Sequence, residues 1–141
     1  MEKTEDVMSI TDIRAGIATN LGTISGLRVA SEIPDNPSPP IAIVQLRSID
    51  YDSSFGKGLA VYTFAVSVIV ARVAERTAQR RLNDYADNDG ASSVKTAIET
   101  DKSLGGAAFD CRVSTLDNIG VIQLGDADYM AADFSVIAYA K

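Results

Sequence analysis

The chain has 141 residues, of which 46% are hydrophobic, and a formal net charge of −6. This length suits one globular domain with a single core, and no apolar run approaches the roughly 20 residues of a membrane span. Because the chain has no histidine and one cysteine, it lacks the commonest general base and the usual zinc ligands. We therefore predict no catalytic residues, no cofactor and no metal site, and we expect no enzyme.

The excess of acidic over basic residues argues against nucleic acid as a non-specific partner. Lys and Arg form no dense run, whereas non-specific binding of nucleic acid depends on clustered phosphate neutralisation. The single cysteine, Cys111, excludes an intrachain disulfide framework and fits a reducing cytoplasm. We expect it to be a small core residue inside a strand.

The N-terminal part predicts an extension followed by a helix. We expect residues 1–8 to be a flexible extension and residues 9–141 to form one domain. Ser9 is the predicted N-cap, with Asp12 three residues later. The apolar stripe of this helix consists of Ile10, Ile13, Ile17, Leu21 and Ile24.

Three strands are predicted next. Leu27–Glu32 is a short one, and the proline-rich segment 34–40 then forms a rigid connector or a stiff arm that touches a neighbour. Ile41–Asp50 and Leu59–Arg72 should form an antiparallel hairpin, because the link between them is too short for a crossover helix.

Leu59–Arg72 is the longest β-type run in the chain. Its larger side chains lie on one face, while the other face carries small, uncharged residues such as Thr63, Ala65 and Ser67. Water rarely meets such a face, so we expect it, like the hairpin tip, to contact neighbouring protein.

The hairpin tip contains aromatic side chains among Gly and Ser, which is typical of a protein-contact element. The alternative is that Phe55 closes the edge of the core. The candidate contact residues of the tip are Tyr51, Asp52, Ser53, Ser54, Phe55, Gly56, Lys57 and Gly58.

A change of period after Arg72 predicts a helix with Ala74, Ala78, Leu82 and Tyr85 on one face. Arg72, Arg76, Arg80 and Arg81 form the one basic patch of the sequence. We weigh two interpretations of this patch: a solvated helix face, or a contact for an acidic partner surface through Arg72, Arg76 and Arg80.

The remaining elements complete the fold prediction. Ser92 or Ser93 caps a third helix that ends at Gly105 and Gly106. Three strands follow, at Phe109–Leu116, Gly120–Leu124 and Tyr129–Ala140, with a turn at Asp117 and Asn118. The order α-β-β-β-α-α-β-β-β predicts an α+β domain whose mainly antiparallel sheet has helices packed on one face.

Three phrases of the sequence resemble one known family. They are MSITDIRAGIATNLGTISGLRV from Met8, SIDYDSSFGKGLAVYTFAVSVIVAR from Ser48, and GASSVKTAIETDKSLGG from Gly90. They are similar to the tail terminator (tail-completion) proteins of long-tailed bacteriophages, most of all those of actinobacterial phages. The resemblance runs from about Met8 to Tyr139, and the extension before Met8 departs from the expected form.

This resemblance implies a structural virion protein at the tail–neck junction, assembled in the host cytoplasm. Such a subunit forms a homohexameric ring that caps the head-proximal end of the tail tube, ends tube polymerisation and offers the head–tail joining surface. The implied partners are further copies of the chain, the tail tube protein and a neck or head-completion protein. DNA would pass through without specific binding, and no membrane is involved.

Two alternatives remain open at the level of sequence. One is another neck or head-closure connector of the same particle. The other is a small ligand-binding or enzymatic domain.

Overall fold

The computed structural model of the protein describes residues 9–30, 38–51, 59–74 and 76–140. The helices are α1 (Ile10–Leu21), α2 (Ala78–Ala86) and α3 (Val94–Ile98), and short 3-10 turns follow at Glu99–Asp101 and Leu104–Gly106. The strands are β1 (Arg28–Ala30), β2 (Ile41–Asp50), β3 (Ala60–Arg72), β4 (Asp110–Leu124) and β5 (Ala127–Ala140). The predicted α+β class and the order of helical and strand segments are confirmed. The extension at residues 1–8 lies outside the described residues.

The strands form one sheet in the order β1-β2-β3-β5-β4. β2–β3, β3–β5 and β5–β4 pair antiparallel, while the short β1 runs parallel to β2. The sheet is therefore mainly antiparallel, as the sequence predicts. β3 lies at its centre, so the longest β-type run of the sequence pairs on both sides.

The helices pack on one side of this sheet. The side chains of β3 that face them alternate along the strand and are buried, and Phe64, Val66 and Val68 have no exposed surface. Ile13 and Ile17 of α1 belong to the same cluster, together with Leu82 of α2. This is the larger of the two buried clusters among the described residues, and it forms the main core.

The helix ends follow local sequence signals. The Ser9 hydroxyl accepts a hydrogen bond from the N–H of Asp12 at 3.0 Å, and Ser93 caps α3 by accepting from the N–H of Thr96 at 3.1 Å. Gly105 and Gly106 have φ values of 72° and 95°, a region open to glycine. These N-caps are therefore confirmed. The predicted end of the third helix is wrong, because α3 ends at Ile98 and two 3-10 turns carry the chain on to the glycines. α2 begins at Ala78 and leaves Ala74 outside it.

α1 comes unusually close to the turn at Leu104. A Cβ placed on Gly16 would lie 2.6 Å from both the Cβ and the carbonyl oxygen of Leu104. Glycine is therefore required here by packing, since any side chain would push the helix away from the turn.

One feature of the last third differs from the sequence prediction. Asp110–Leu124 is a single strand of 15 residues, and the expected turn at Asp117 and Asn118 is a bulge within it. Asn118 adopts a positive φ of 57°, which asparagine tolerates better than most residues. The sequence therefore located an irregularity of the backbone at these residues, but it is a bulge and not a turn, because the chain continues in the same direction after it.

Cys111 lies in β4 with 1% of its surface exposed. Burial, followed by the nearby charge of Asp110, raises the pKa of its thiol to about 11. The thiol therefore stays protonated near neutral pH, and the prediction of a core cysteine is confirmed.

Candidate assembly surface

The side of the sheet opposite the helices is the candidate functional surface, and we call it the helix-free face. Within the described ranges, every helix packs on the other side. Along β3 this face carries Val61, Thr63, Ala65, Ser67 and Ile69, the small-residue side that the sequence singles out. Most of these side chains are half-buried or buried in the isolated chain.

One end of the helix-free face is apolar. Ile41 and Ile43 of β2, Ile69 of β3, and Tyr129 and Ala131 of β5 form a separate buried cluster. Ile122, Leu124 and Ala127 of the β4–β5 hairpin pack against this cluster. The guanidinium of Arg72 lies 6.0 Å from the centre of the Tyr129 ring, a distance at which cation–π attraction operates.

The middle of the face is polar and centres on Asp133 of β5. Its carboxylate accepts hydrogen bonds from the Ser67 hydroxyl at 2.7 Å and from the Asn118 amide at 2.9 Å. Arg47 approaches the same carboxylate at 3.8 Å. Asp117 lies directly opposite Asp133 in the strand register, where two carboxylates would otherwise repel. The three donors offset that repulsion.

The charges of this face nearly balance. Among the described residues, the positive side chains on this face are Arg47, Arg72 and Arg112, and the negative ones are Asp50, Asp110, Asp117 and Asp133. The chain's net charge of −6 is therefore not concentrated there. A mixed, half-apolar surface of this kind suits contact with protein.

The predicted contact residues lie at opposite ends of the sheet. Tyr51 follows β2 directly and is 71% exposed, next to the start of β3. Arg72 ends β3, and the strand between the two places them about 36 Å apart at about 3.3 Å per residue. The structure therefore does not bring the two groups into one site.

The other members of the predicted set are placed as follows. Arg76 and Arg80 are exposed, and Arg80 belongs to α2, on the helical side of the sheet, whereas Arg72 contacts the helix-free face. The rest of the hairpin tip, Asp52, Ser53, Ser54, Phe55, Gly56, Lys57 and Gly58, lies outside the described residues. Contact roles for all of these residues stay predictions.

An exposed aromatic side chain that the sequence did not single out lies at the same end as Tyr51. Phe109 precedes β4 and is 56% exposed, and Asp110 next to it is level with Val61 and Asp50 across the sheet. Only the strand register reveals this proximity, because the two aromatic residues are far apart in sequence. We call this end of the sheet the aromatic end.

The outer edge of β4 is partly closed by Glu99. Its carboxylate accepts a hydrogen bond from the N–H of Val113 at 2.9 Å and one from the Lys95 ammonium at 2.7 Å. Burial alone would raise the pKa of this carboxyl, but the hydrogen bonds from Lys95 and Val113 outweigh it and hold the pKa below its ordinary value of 4.5. Glu99 thus links the end of α3 to an edge strand.

This contact predicts a pH dependence of stability. Because the pKa of Glu99 is lowered in the folded chain, the ionised form stabilises the fold above about pH 4.5, and this stabilisation is lost as the pH falls through the folded-state pKa. Glu99→Gln keeps an acceptor for Val113 but cannot ionise, so wild type should be the more stable protein at pH 6 and lose that advantage at pH 3. Urea unfolding at both pH values measures it. The pKa of Asp101 is also lowered, but Asp101 is present in both proteins, so its effect cancels in their difference in unfolding free energy. A difference that is the same at pH 6 and pH 3 would contradict the prediction.

Two features of the described residues bear on other classes of function. In the described part of the chain, no helix has the length and apolarity needed to cross a membrane. The same residues contain no group of three or more His, Cys, Asp or Glu side chains arranged to hold a metal ion.

Comparison with known proteins adds little to this picture. No protein-family model matches the chain, and no curated protein matches it. Among solved structures, the chain is similar to one from the virion of a native gene transfer agent particle, at 18% identity and a TM-score of 0.31. That comparison covers 88% of this chain and 84% of the other. A TM-score this low carries no argument about function.

Proposed function

We propose that the protein is a structural component of a phage-like virion and acts as a tail terminator. Copies of the chain form a ring on the head-proximal end of the tail tube, end its polymerisation and offer the surface to which the head joins. The three sequence phrases that resemble this family support the proposal, and so does the α+β fold with helices on one side only.

The observation that carries the proposal is the helix-free face. It runs the length of a 13-residue central strand, combines an apolar end with a polar centre, and has balanced charge. Monomeric proteins seldom leave a large, partly apolar sheet face open to water. We infer that neighbouring protein covers the small, uncharged side chains of this face.

The two ends of the sheet fit two different axial partners. The aromatic end carries Tyr51 and Phe109, and aromatic side chains are favoured at the centres of protein interfaces. The opposite end carries Arg72, with exposed Arg76 just beyond it. We assign the aromatic end to the tail tube and the arginine end to the neck protein.

Native mass measurement of the purified protein tests the proposal, first alone and then with short tail-tube assemblies. We expect a ring, with six copies as the family resemblance implies, bound at one end of each tube. A protein that stays monomeric and does not bind tube ends would refute the proposal. Binding to the head connector in place of tube ends would favour a head-closure protein instead.

A pair of variants tests the assignment of the aromatic end. Tyr51→Ser combined with Phe109→Ser should weaken tube-end binding while the unfolding midpoint of the subunit stays unchanged, because both side chains are largely exposed. Val73→Ser at the opposite end, also exposed, is the matched control and should bind tubes normally. Equal binding by all three proteins would refute the assignment.

A further inference from the structure

The sheet ends in two edges where, among the described residues, part of the main chain has no partner strand. β1 pairs with Ile41, Ala42 and Ile43 only, so within the described ranges no strand lies beside β2 from Val44 onward. On the other side of the sheet, β4 is the outermost strand. Open strand edges are templates for pairing with another chain, and natural proteins protect them.

A charged side chain of α1 closes the β2 edge just past the residues that β1 covers. The carbonyl oxygen of Pro40, directly before β2, accepts a hydrogen bond from the N–H of Arg28, so this carbonyl points to the outer side of β2. The side alternates along a strand, and Val44, four residues later, therefore points the same way. Its carbonyl oxygen accepts a hydrogen bond from Nε of Arg14 at 2.8 Å. Arg14 thus takes the place that a longer β1 would fill.

A second charged side chain closes the β4 edge, with the opposite hydrogen-bonding group. The carboxylate of Glu99, in the 3-10 turn after α3, accepts a hydrogen bond from the N–H of Val113 at 2.9 Å. The same carboxylate oxygen accepts from the Lys95 ammonium at 2.7 Å, and the Glu99 side chain is only 17% exposed. Lys95 therefore holds Glu99 against an N–H that points away from β5, where a strand of a second copy would have to bind.

Both contacts oppose the entry of another strand. They are charge-assisted hydrogen bonds, which are shorter and stronger than those between neutral groups. An incoming strand would replace each of them by an ordinary main-chain hydrogen bond and would leave the guanidinium of Arg14 or the carboxylate of Glu99 without its partner. Pairing is therefore disfavoured at both edges.

Bulges interrupt the rest of the two edges. β2 has one between residues 46 and 48, and β4 has two, between residues 113 and 115 and between residues 117 and 120. A bulge adds an unpaired residue and breaks the regular spacing that a partner strand needs. Beyond the second bulge of β4, only the short stretch 120–124 keeps a regular register.

We propose that Arg14 and Glu99 protect the two edges of the sheet and keep the isolated subunit from pairing edge to edge with a second copy. We call them the edge-protecting residues. Copies of the chain then meet through the faces and ends of the sheet, among them the helix-free face, and the open-ended sheet that two unprotected edges would form is avoided. This property belongs to the chain alone and holds whether or not a ring of copies caps a tail tube.

Removing both edge-protecting residues tests the proposal. Sedimentation velocity compares wild type with Arg14→Ala/Glu99→Ala at rising protein concentration, at a temperature where circular dichroism shows both proteins folded. We expect the double variant to contain several-fold more of the species larger than the wild-type assembly, because both edges can then pair. The matched control, Arg80→Ala/Asp84→Ala, removes one exposed charge of each sign from α2 and should match wild type. Equal size distributions for all three proteins would overturn the proposal.

Conservative variants separate the hydrogen bond from the charge. Glu99→Gln loses the same charge as Glu99→Ala but keeps an acceptor for Val113, and Arg14→Lys keeps a charged donor for Val44. Both should sediment as wild type does. Association of Glu99→Gln as strong as that of Glu99→Ala would mean that the hydrogen bond does not protect the edge, and would overturn the proposal.

Amide hydrogen exchange identifies the place of association, and the single variant Glu99→Ala serves for it even if the double variant does not fold. In dilute solution the N–H of Val113 should exchange several-fold faster in this variant than in wild type, because it has lost its acceptor. At concentrations where the variant associates, its protection should return, since a strand of the second copy then accepts from it. Association without renewed protection of Val113 would place the contact elsewhere and overturn the proposal.

These outcomes are distinct from those that test the proposed function. If the variants associate as expected while wild type ignores tube ends, the edge protection stands and the tail-terminator role is overturned. If wild type forms rings on tube ends while the double variant sediments like wild type, the edge protection is overturned and the tail-terminator role stands.

Discussion

Replacing Phe64 by alanine is expected to lower the free energy of unfolding by about 3–5 kcal/mol. Phe64 is the largest fully buried side chain of the core and lies on the helical side of the central strand. Its removal takes apolar surface out of contact and leaves a cavity that β2 and β5 hold open on both sides. Urea unfolding followed by circular dichroism measures the loss.

The neighbouring residue provides the control. Thr63 lies on the helix-free face and is half-buried, and Thr63→Val keeps its shape and its preference for strands. We expect the unfolding free energy of this variant to stay within about 0.5 kcal/mol of wild type. Comparable losses of unfolding free energy at Thr63 and Phe64 would mean that both faces of β3 are core in the isolated chain. The helix-free face would then no longer be a candidate contact surface.

The alternation along β3 could be predicted because it is local. A strand places successive side chains on opposite faces, so the letters alone separated Phe64 from Thr63 and indicated which face needs external cover. The same holds for Ser9 and Ser93, because a cap requires an oxygen at one position and an N–H a few residues later.

The polar centre of the helix-free face could not be predicted in this way. Ser67 was assigned to the correct face of its own strand, yet nothing in the sequence says that the strand of Asp133 lies beside it. Their contact depends on the order β3-β5-β4, which inserts the last strand between the third and the fourth. Phe109 could not be predicted for the same reason, since only the pairing of the strands places it at the same end of the sheet as Tyr51.

The bulge at Asp117 and Asn118 shows a second limit. Asp–Asn sequences favour turns and bulges alike, because both conformations accept a positive φ at asparagine. The choice between them depends on whether the following residues find a partner strand. Here Gly120–Leu124 continues to pair with β5, a long-range contact that local sequence does not encode.

Replacing Asn20 by alanine is expected to destabilise the fold by about 2–4 kcal/mol, since each buried polar group left without a partner costs roughly 1–3 kcal/mol. Asn20 is 7% exposed, and its amide nitrogen donates to the carbonyl oxygens of Ile98 at 2.9 Å and Asp101 at 3.1 Å. These carbonyls lie at the end of α3 and in the 3-10 turn after it, where helices leave acceptors unsatisfied. One side chain of α1 thus closes the end of another helix.

Two variants separate this role from simple packing, each measured by urea unfolding. Asn20→Leu fills the space but donates no hydrogen bond, so it should be about as destabilising as Asn20→Ala; recovery of wild-type stability by leucine would show that volume alone matters at this position. Asn83→Ala removes an exposed asparagine from α2 and should change stability by about 0.5 kcal/mol or less. Because the loss at Asn20 arises where α1 meets α3, on the helical side of the sheet, subunits that stay folded at lower temperature should still form rings.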